Sequence, residues 1–224
     1  MNSPRTFNRR EGQYLRLLIA LVALMLIEPL VGPSFVGQTI VQLLFTMVLL
    51  TSFLAVLKKK SEVAIPIVYI VITLISAWTA HFFHQPAWLA VTTPFFGLLL
   101  LIHVVLALIR HVFTGREQVT PDILYGAVDI YLLIALIFAF LAALVEAVAP
   151  ESYAGKMVPH TEELTMAPYL YLSLNNLTGI GFAAVVPTSR LAMMLGFVEA
   201  IAANMYLAIL VARLVGMQMS QRRE

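Results

Sequence analysis

Met166-Ala-Pro-Tyr-Leu-Tyr-Leu-Ser-Leu-Asn-Asn-Leu177 runs without a break into Thr178-Gly-Ile-Gly-Phe-Ala-Ala-Val-Val-Pro187, and the reading of this stretch decides the fold. Pro168 suits the first turn of a helix, where a missing N–H costs nothing. About ten helical residues follow, which is roughly 15 Å, only half of a bilayer's hydrocarbon core. The next ten residues carry no helical pattern and hold Gly179 and Gly181 in alternation. A half-crossing helix that returns as irregular backbone is tolerated at membrane depth only where protein or a water-filled cavity lines it. The alternative is an amphipathic helix and loop lying on the outer face.

The surroundings of this stretch are long apolar runs. Runs of about 20 apolar residues cross the hydrocarbon core as helices. Six are predicted: Tyr14 to Val31, Phe35 to Leu57, Val63 to Phe83, Trp88 to Ile109, Ile123 to Val148 and Leu191 to Val215. The stretch quoted above lies between the fifth and the sixth. Leu17 to Ile27 has the length of a signal-peptide core, but no small-residue cleavage site follows it, so it is read as a span.

Basic residues near span ends set orientation. Arg5, Arg9, Arg10 and Arg16 precede the first span, and Lys58, Lys59 and Lys60 separate the second and third. Arg110 and Arg116 separate the fourth and fifth, and Arg213, Arg222 and Arg223 close the chain. With six spans these twelve fall on one side, leaving only Lys156 and Arg190 on the other. Both termini of a multi-pass membrane protein are therefore expected to be cytoplasmic.

Composition agrees with lipid as the solvent. Apolar residues make up 61% of the 224, charged residues 12%, and the mean hydropathy is +0.91. Soluble domains run nearer 45–50% apolar and about 25% charged. The absence of cysteine excludes disulfides, thiolate catalysis and cysteine-ligated metal centres. A net charge of +2 is too small to argue for nucleic acid. There is no phosphate-cradling glycine loop followed by lysine and no HExxH, so no enzymatic activity and no cofactor are expected.

A re-entrant element gains a use when several copies face one axis. The carboxyl end of a short helix aimed at the membrane centre carries partial negative charge, which favours a cation. Glycine accepts positive φ, so alternating glycines let successive carbonyls turn the same way. A ring of such carbonyls replaces the hydration shell of a cation. One chain supplies one wall, so a pore needs closed rotational symmetry.

Ionisable residues within spans are functional candidates by default. Asp129 lies roughly 9 Å from the cytoplasmic end of span five and Glu199 roughly 15 Å from the outer face, taking 1.5 Å per residue. Their depths suggest a buried acid–amide network with Asn204 that positions the last span, or a plain structural hydrogen bond between helices. Span four carries no Arg or Lys between Leu89 and Ile109. It cannot sense voltage as a basic helix does, where each charge moved through 100 mV is worth about 2.3 kcal/mol. His81 and His84 have no carboxylate beside them, which makes a metal site there unexpected. His103 is read as an interhelical hydrogen bond and Trp78 and Trp88 as interfacial anchors. Glu151, Glu162 and Glu163 form either an acidic vestibule or a solvated loop. Lys58 to Lys60 set topology or contact anionic lipid.

The residues from Tyr171 to Pro187 resemble the signature YFSFVTLTTVGYGDIVP of the tetrameric potassium-channel superfamily, in register and without a gap. Glu199-Ala-Ile-Ala-Ala-Asn-Met-Tyr-Leu-Ala-Ile-Leu-Val-Ala-Arg-Leu-Val-Gly216 is similar to the inner-helix pattern E-A-x-x-G-Q-x-Y-L-A-V-L-V-A-R-L-V-G of the bacterial six-span, one-pore group often labelled two-pore-domain-like. The likeness covers about Val119 to Gly216. It implies an all-α membrane protein with the tetrameric cation-channel fold. Residues 1–118 would be a peripheral four-helix domain, and residues 119–224 a pore domain of outer helix, re-entrant pore helix, filter and inner helix. It further implies that Thr178, Gly179, Ile180, Gly181, Phe182 and Ala183 line the filter, that Asn175, Asn176 and Ala184 support it or form its mouth, and that the partners are three further copies and membrane lipid.

The filter departs from that pattern. Gly179 stands where the family has threonine, Ala183 replaces the last glycine, and Ala184 replaces an aspartate. Ala203 takes the place of a hinge-like glycine, and Asn204 that of glutamine. Because selection depends on the number and placement of ligands, the resemblance implies passive conduction of K+ together with Na+ and weakened selectivity. The other readings are a channel that remains potassium-selective and a non-conducting relative acting as a partner or regulatory subunit.

Overall fold

The computed structural model describes residues 12–31, 34–56, 64–82, 87–114, 121–158, 166–182 and 184–221. Ala183, Lys58 to Lys60, His84, Glu162, Glu163, Arg116, Arg222, Arg223 and the basic residues before Gly12 lie outside these ranges.

Continuous apolar sequence forms helix because a helix satisfies every backbone group within itself. Seven α-helices result among the described residues: α1 (Gln13–Ile27), α2 (Phe35–Val56), α3 (Ala64–Phe82), α4 (Ala87–Thr114), α5 (Pro121–Val148), α6 (Ala167–Thr178) and α7 (Arg190–Gln221). A 3-10 turn, Glu28–Leu30, extends α1. The predicted ends hold to within a few residues, except that α4 continues past Arg110 to Thr114 and α7 past Val215 to Gln221. A single charge does not end a helix that can leave the apolar layer and keep its hydrogen bonds.

Four stretches are long and apolar enough to cross a membrane: Phe35–Leu54, Trp88–Arg110, Pro121–Val148 and Arg190–Met219. Gln13–Ile27 and Pro66–Phe82 are apolar but shorter.

The helix α5 is the hub of the fold, packed by α1, α4, α6 and α7. Its buried side chains include Ile130, Leu133, Leu136, Ala139 and Phe140. The small residues Ala135, Ala139, Ala142 and Ala143 let neighbours approach closely, as in membrane-helix interfaces. The remaining helices α2 and α3 pack on one another and on α4, with α1 bridging α2 and α5.

Across α7 the pattern inverts. Its buried residues are Ala192, Glu199 and Ala203, seven and four apart, which is one narrow face. Around them Met194, Phe197, Val198, Ile201, Met205, Ile209 and Val211 are exposed. Only 17% of its apolar stretch is buried, against 50% in α5. The last helix is apolar all round and covered by its own chain on one side only.

Candidate functional site

The half-length helix foreseen from Pro168 is present as α6, twelve residues long, with the proline in its first turn. Seven of its side chains, from Pro168 to Leu177, are buried between α5 and α7. Protein thus flanks the helix itself on two sides. It stops at Gly179, whose φ of 71° and ψ of 16° form a left-handed cap, and whose N–H donates to the Asn175 carbonyl at 2.9 Å. Left-handed caps favour glycine because a Cβ costs energy there.

Beyond the cap the chain changes character. Residues 179–182 are all exposed, with Ile180 at 59% and Phe182 at 65%. Gly181 repeats the positive φ, at 77°. No atom lies within 4 Å of where a Cβ would stand at either glycine. Two tethers hold this exposed turn. The Phe182 N–H donates to Asn175 Oδ1 at 3.2 Å, while Asn175 Nδ2 donates to the Tyr171 carbonyl at 3.1 Å. From α5, the Tyr131 hydroxyl donates to the Leu177 carbonyl at 2.9 Å. Thr178 Oγ1 donates to Leu174 O at 2.7 Å within its own helix. Asn175 thus braces the turn, while Asn176 points away from it, toward Glu199.

The segment that follows the turn is clamped by the connection after α5. Strands β1 (Tyr153–Ala154) and β2 (Val186–Pro187) pair antiparallel, Tyr153 opposite Pro187 and Ala154 opposite Val186. Ser152 O accepts from the Thr188 N–H at 2.8 Å, and Ala184 O accepts from the Met157 N–H at 3.4 Å. Gly155, at φ 139°, passes so close that a Cβ would lie 2.2 Å from Ala184 O. Glu146, in the last turn of α5, accepts from the N–H groups of Glu151 (2.9 Å) and Tyr153 (3.1 Å), one on each carboxylate oxygen. Burial raises the Tyr153 phenol above the usual tyrosine range, and the Glu146 carboxylate adds to the effect. Replacing Glu146 by glutamine keeps one acceptor and turns the other into a donor facing an N–H. Glu146→Gln is expected to cost about 1–3 kcal/mol, read as a lower midpoint of thermal unfolding in detergent. An unchanged midpoint would show that the loop holds itself without the carboxylate.

Behind the helix, the acids separate. Glu199, 2% exposed, meets α6: Asn176 Nδ2 donates to one oxygen at 2.9 Å, and Ser173 Oγ meets the other. A cavity of about 300 Å³ opens beside them, lined by Tyr153, Tyr169, Leu172, Met193 and Phe197. Asp129 is fully buried in α5, with no hydrogen-bond partner for either oxygen among the described residues. Asn204 is exposed and donates to Ala200 O on its own helix at 2.9 Å. The expected network of Asp129, Glu199 and Asn204 is therefore corrected: Glu199 joins Ser173 and Asn176 instead. Five residues along a helix turn a side chain about 140°, so Glu199 and Asn204 cannot share a face.

Farther along α7, the Tyr206 hydroxyl donates to Ala127 O at 2.7 Å and its ring stacks on Tyr131 at 6.3 Å. Arg213 sits 4.9 Å above the Phe113 ring and also donates to the Phe113 carbonyl. These contacts fasten α7 to α4 and α5. His81 shares a 2.9 Å hydrogen bond with Thr39 and stacks on Phe35 at 5.0 Å. Among the described residues no three His, Asp or Glu gather to hold a metal ion.

Reading the sequence missed Ser173, Glu146, Gly155, Tyr131 and Tyr206. Ser173 and Asn176, three apart on a helix, carry a legible signal; the others depend on which loop crosses which. Comparison of the chain with protein families, curated proteins and solved structures finds no match.

Proposed function

We propose that four copies of this chain assemble around one axis in a bacterial cytoplasmic membrane and conduct monovalent cations passively. Each copy crosses the membrane six times, and the turn from Thr178 to Phe182, continuing through Ala183, lines the pathway. The observation that carries this reading is the pairing of two features that are costly in a lone chain. A buried half-length helix delivers an exposed turn with positive φ at Gly179 and Gly181, and the adjacent α7 leaves most of its apolar circumference bare. Symmetric copies give both a use: the turns face one another with their carbonyls toward the axis, and the bare helix faces meet neighbours, the pathway or lipid.

Selectivity for K+ over Na+ is weak in this reading. With glycine at 179 there is no hydroxyl to add a ring of ligands below the carbonyls, and selection follows ligand number and placement. Size analysis in a mild detergent is expected to give a tetramer. The reconstituted protein, under opposed K+ and Na+ solutions, is expected to pass current that reverses near zero. A reversal far to the potassium side would make this a selective potassium channel. Verified tetramers in a silent bilayer would favour the non-conducting, regulatory reading, and a monomer would remove the pore altogether.

A further inference from the structure

Ser173 Oγ stands within hydrogen-bond distance of two oxygens. One is the carbonyl of Ala135 on α5, at 2.6 Å; the other is a carboxyl oxygen of Glu199 on α7. A serine hydroxyl has one hydrogen to give, a backbone carbonyl can only accept, and an ionised carboxylate can only accept. One hydrogen cannot serve both. With Glu199 ionised, one of the two contacts would set lone pairs against lone pairs in a site where Ser173 and Glu199 are each 2% exposed.

A hydrogen on the carboxyl removes the conflict. Glu199 then donates to Ser173 Oγ, Ser173 donates to Ala135 O, and Asn176 Nδ2 donates to the second Glu199 oxygen. Both carboxyl oxygens and the Ser173 hydroxyl then have partners. The surroundings favour the neutral form too: among the described residues lining the adjacent cavity there is no Lys, Arg or His, and the other titratable side chains there are Tyr153 and Tyr169. Glu146, in the last turn of α5, is engaged with backbone N–H groups and carries no positive charge to offer.

We infer that Glu199 is held as a neutral acid, and that its hydrogen is the tie fixing the short helix α6 between α5 and α7. Glu199 is a positioning residue: it touches no residue of the 179–182 turn through these bonds, yet it holds the helix that ends in it. The state of the hydrogen is independent of conduction; only the consequence at the turn rests on the cation-pore reading.

Infrared difference spectra of purified wild type against Glu199→Gln test this directly. The expected spectrum contains the carbonyl stretch of a hydrogen-bonded carboxylic acid, lost in Glu199→Gln and moved to higher frequency in Ser173→Ala, which removes its acceptor. Carboxylate bands in place of the acid band would overturn the inference, as would an acid band indifferent to Ser173→Ala. Glutamine can donate to Ser173 and accept from Asn176, so Glu199→Gln is expected to keep the wild-type melting midpoint and pass current within about twofold of wild type, whereas Glu199→Ala, which takes the acceptor from Asn176 Nδ2 and the incoming donor from Ser173 Oγ, loses roughly tenfold. Equal damage from Gln and Ala would also count against it. Should Glu199→Gln fail to fold, the Ser173→Ala spectrum against wild type decides alone.

Discussion

Gly155→Ala is expected to lower stability by roughly 2–5 kcal/mol. Two penalties add. At φ 139° an L side chain is strained whatever the space around it. The new Cβ would also stand 2.2 Å from the Ala184 oxygen, 2.9 Å from the Ala184 carbonyl carbon and 3.1 Å from the Val185 Cα, all backbone atoms that no rotamer change can move aside. The two chains must separate, and the β1–β2 pairing with the Met157 to Ala184 hydrogen bond goes with them. Gly181→Ala supplies a comparison without collision, since φ 77° borders the left-handed region, a milder strain than at 139°, and nothing lies within 4 Å. Thermal unfolding of both variants is expected to show the far larger loss at Gly155. If they melt alike, the close passage at Gly155 contributes nothing.

The second large effect concerns selectivity. On the cation-pore reading proposed above, the combined variant Gly179→Thr, Ala183→Gly and Ala184→Asp, which restores the pattern that the sequence resembles, is expected to move the reversal potential toward potassium. A gain of about 1.4 kcal/mol in relative binding corresponds to about tenfold in the permeability ratio. The geometry adds a condition. Gly179 caps α6 with φ 71°, and a β-branched residue there costs roughly 1–2 kcal/mol in each subunit. Within one copy nothing beyond its chain neighbours lies within 4 Å of its Cβ position. Gly179→Thr alone is therefore expected to destabilise the protein. Bi-ionic reversal potentials and melting midpoints for the single and triple variants check both parts. A triple variant that selects no better than wild type would mean that filter chemistry is not the cause of weak selection.

Much of the architecture was legible because lipid leaves the backbone few choices. The runs around Leu17, Leu49, Ile70, Leu101, Leu136 and Leu207 had to be helical for their hydrogen bonds to close, and each is. The short helix after Pro168 and its stop at a glycine were legible for the same local reasons, a fixed φ at the start and a left-handed cap at the end. That Asn175 braces the turn was suggested by the resemblance, and the bond to the Phe182 N–H supplies a physical route for it.

The buried polar pairs were read less well. Asp129 and Glu199 were matched on depth alone, and depth fixes only one of the coordinates that bring two side chains together. The angle around each helix is the other: it turns Glu199 onto Ser173 and Asn176, sends Asn204 outward, and leaves Asp129 facing its own surroundings in α5. Nor could the crossing of Gly155 over Ala184 be foreseen, since it joins residues 29 apart in sequence across a loop whose course no periodicity encodes. The sequence by itself determined which segments are helical, how long they are and where glycine must end one of them, because those follow from local hydrogen bonding in an apolar medium. Only the tertiary structure decided which polar groups meet behind the short helix and what clamps the segment that follows its turn, because those contacts depend on the rotation and approach of elements far apart in the chain.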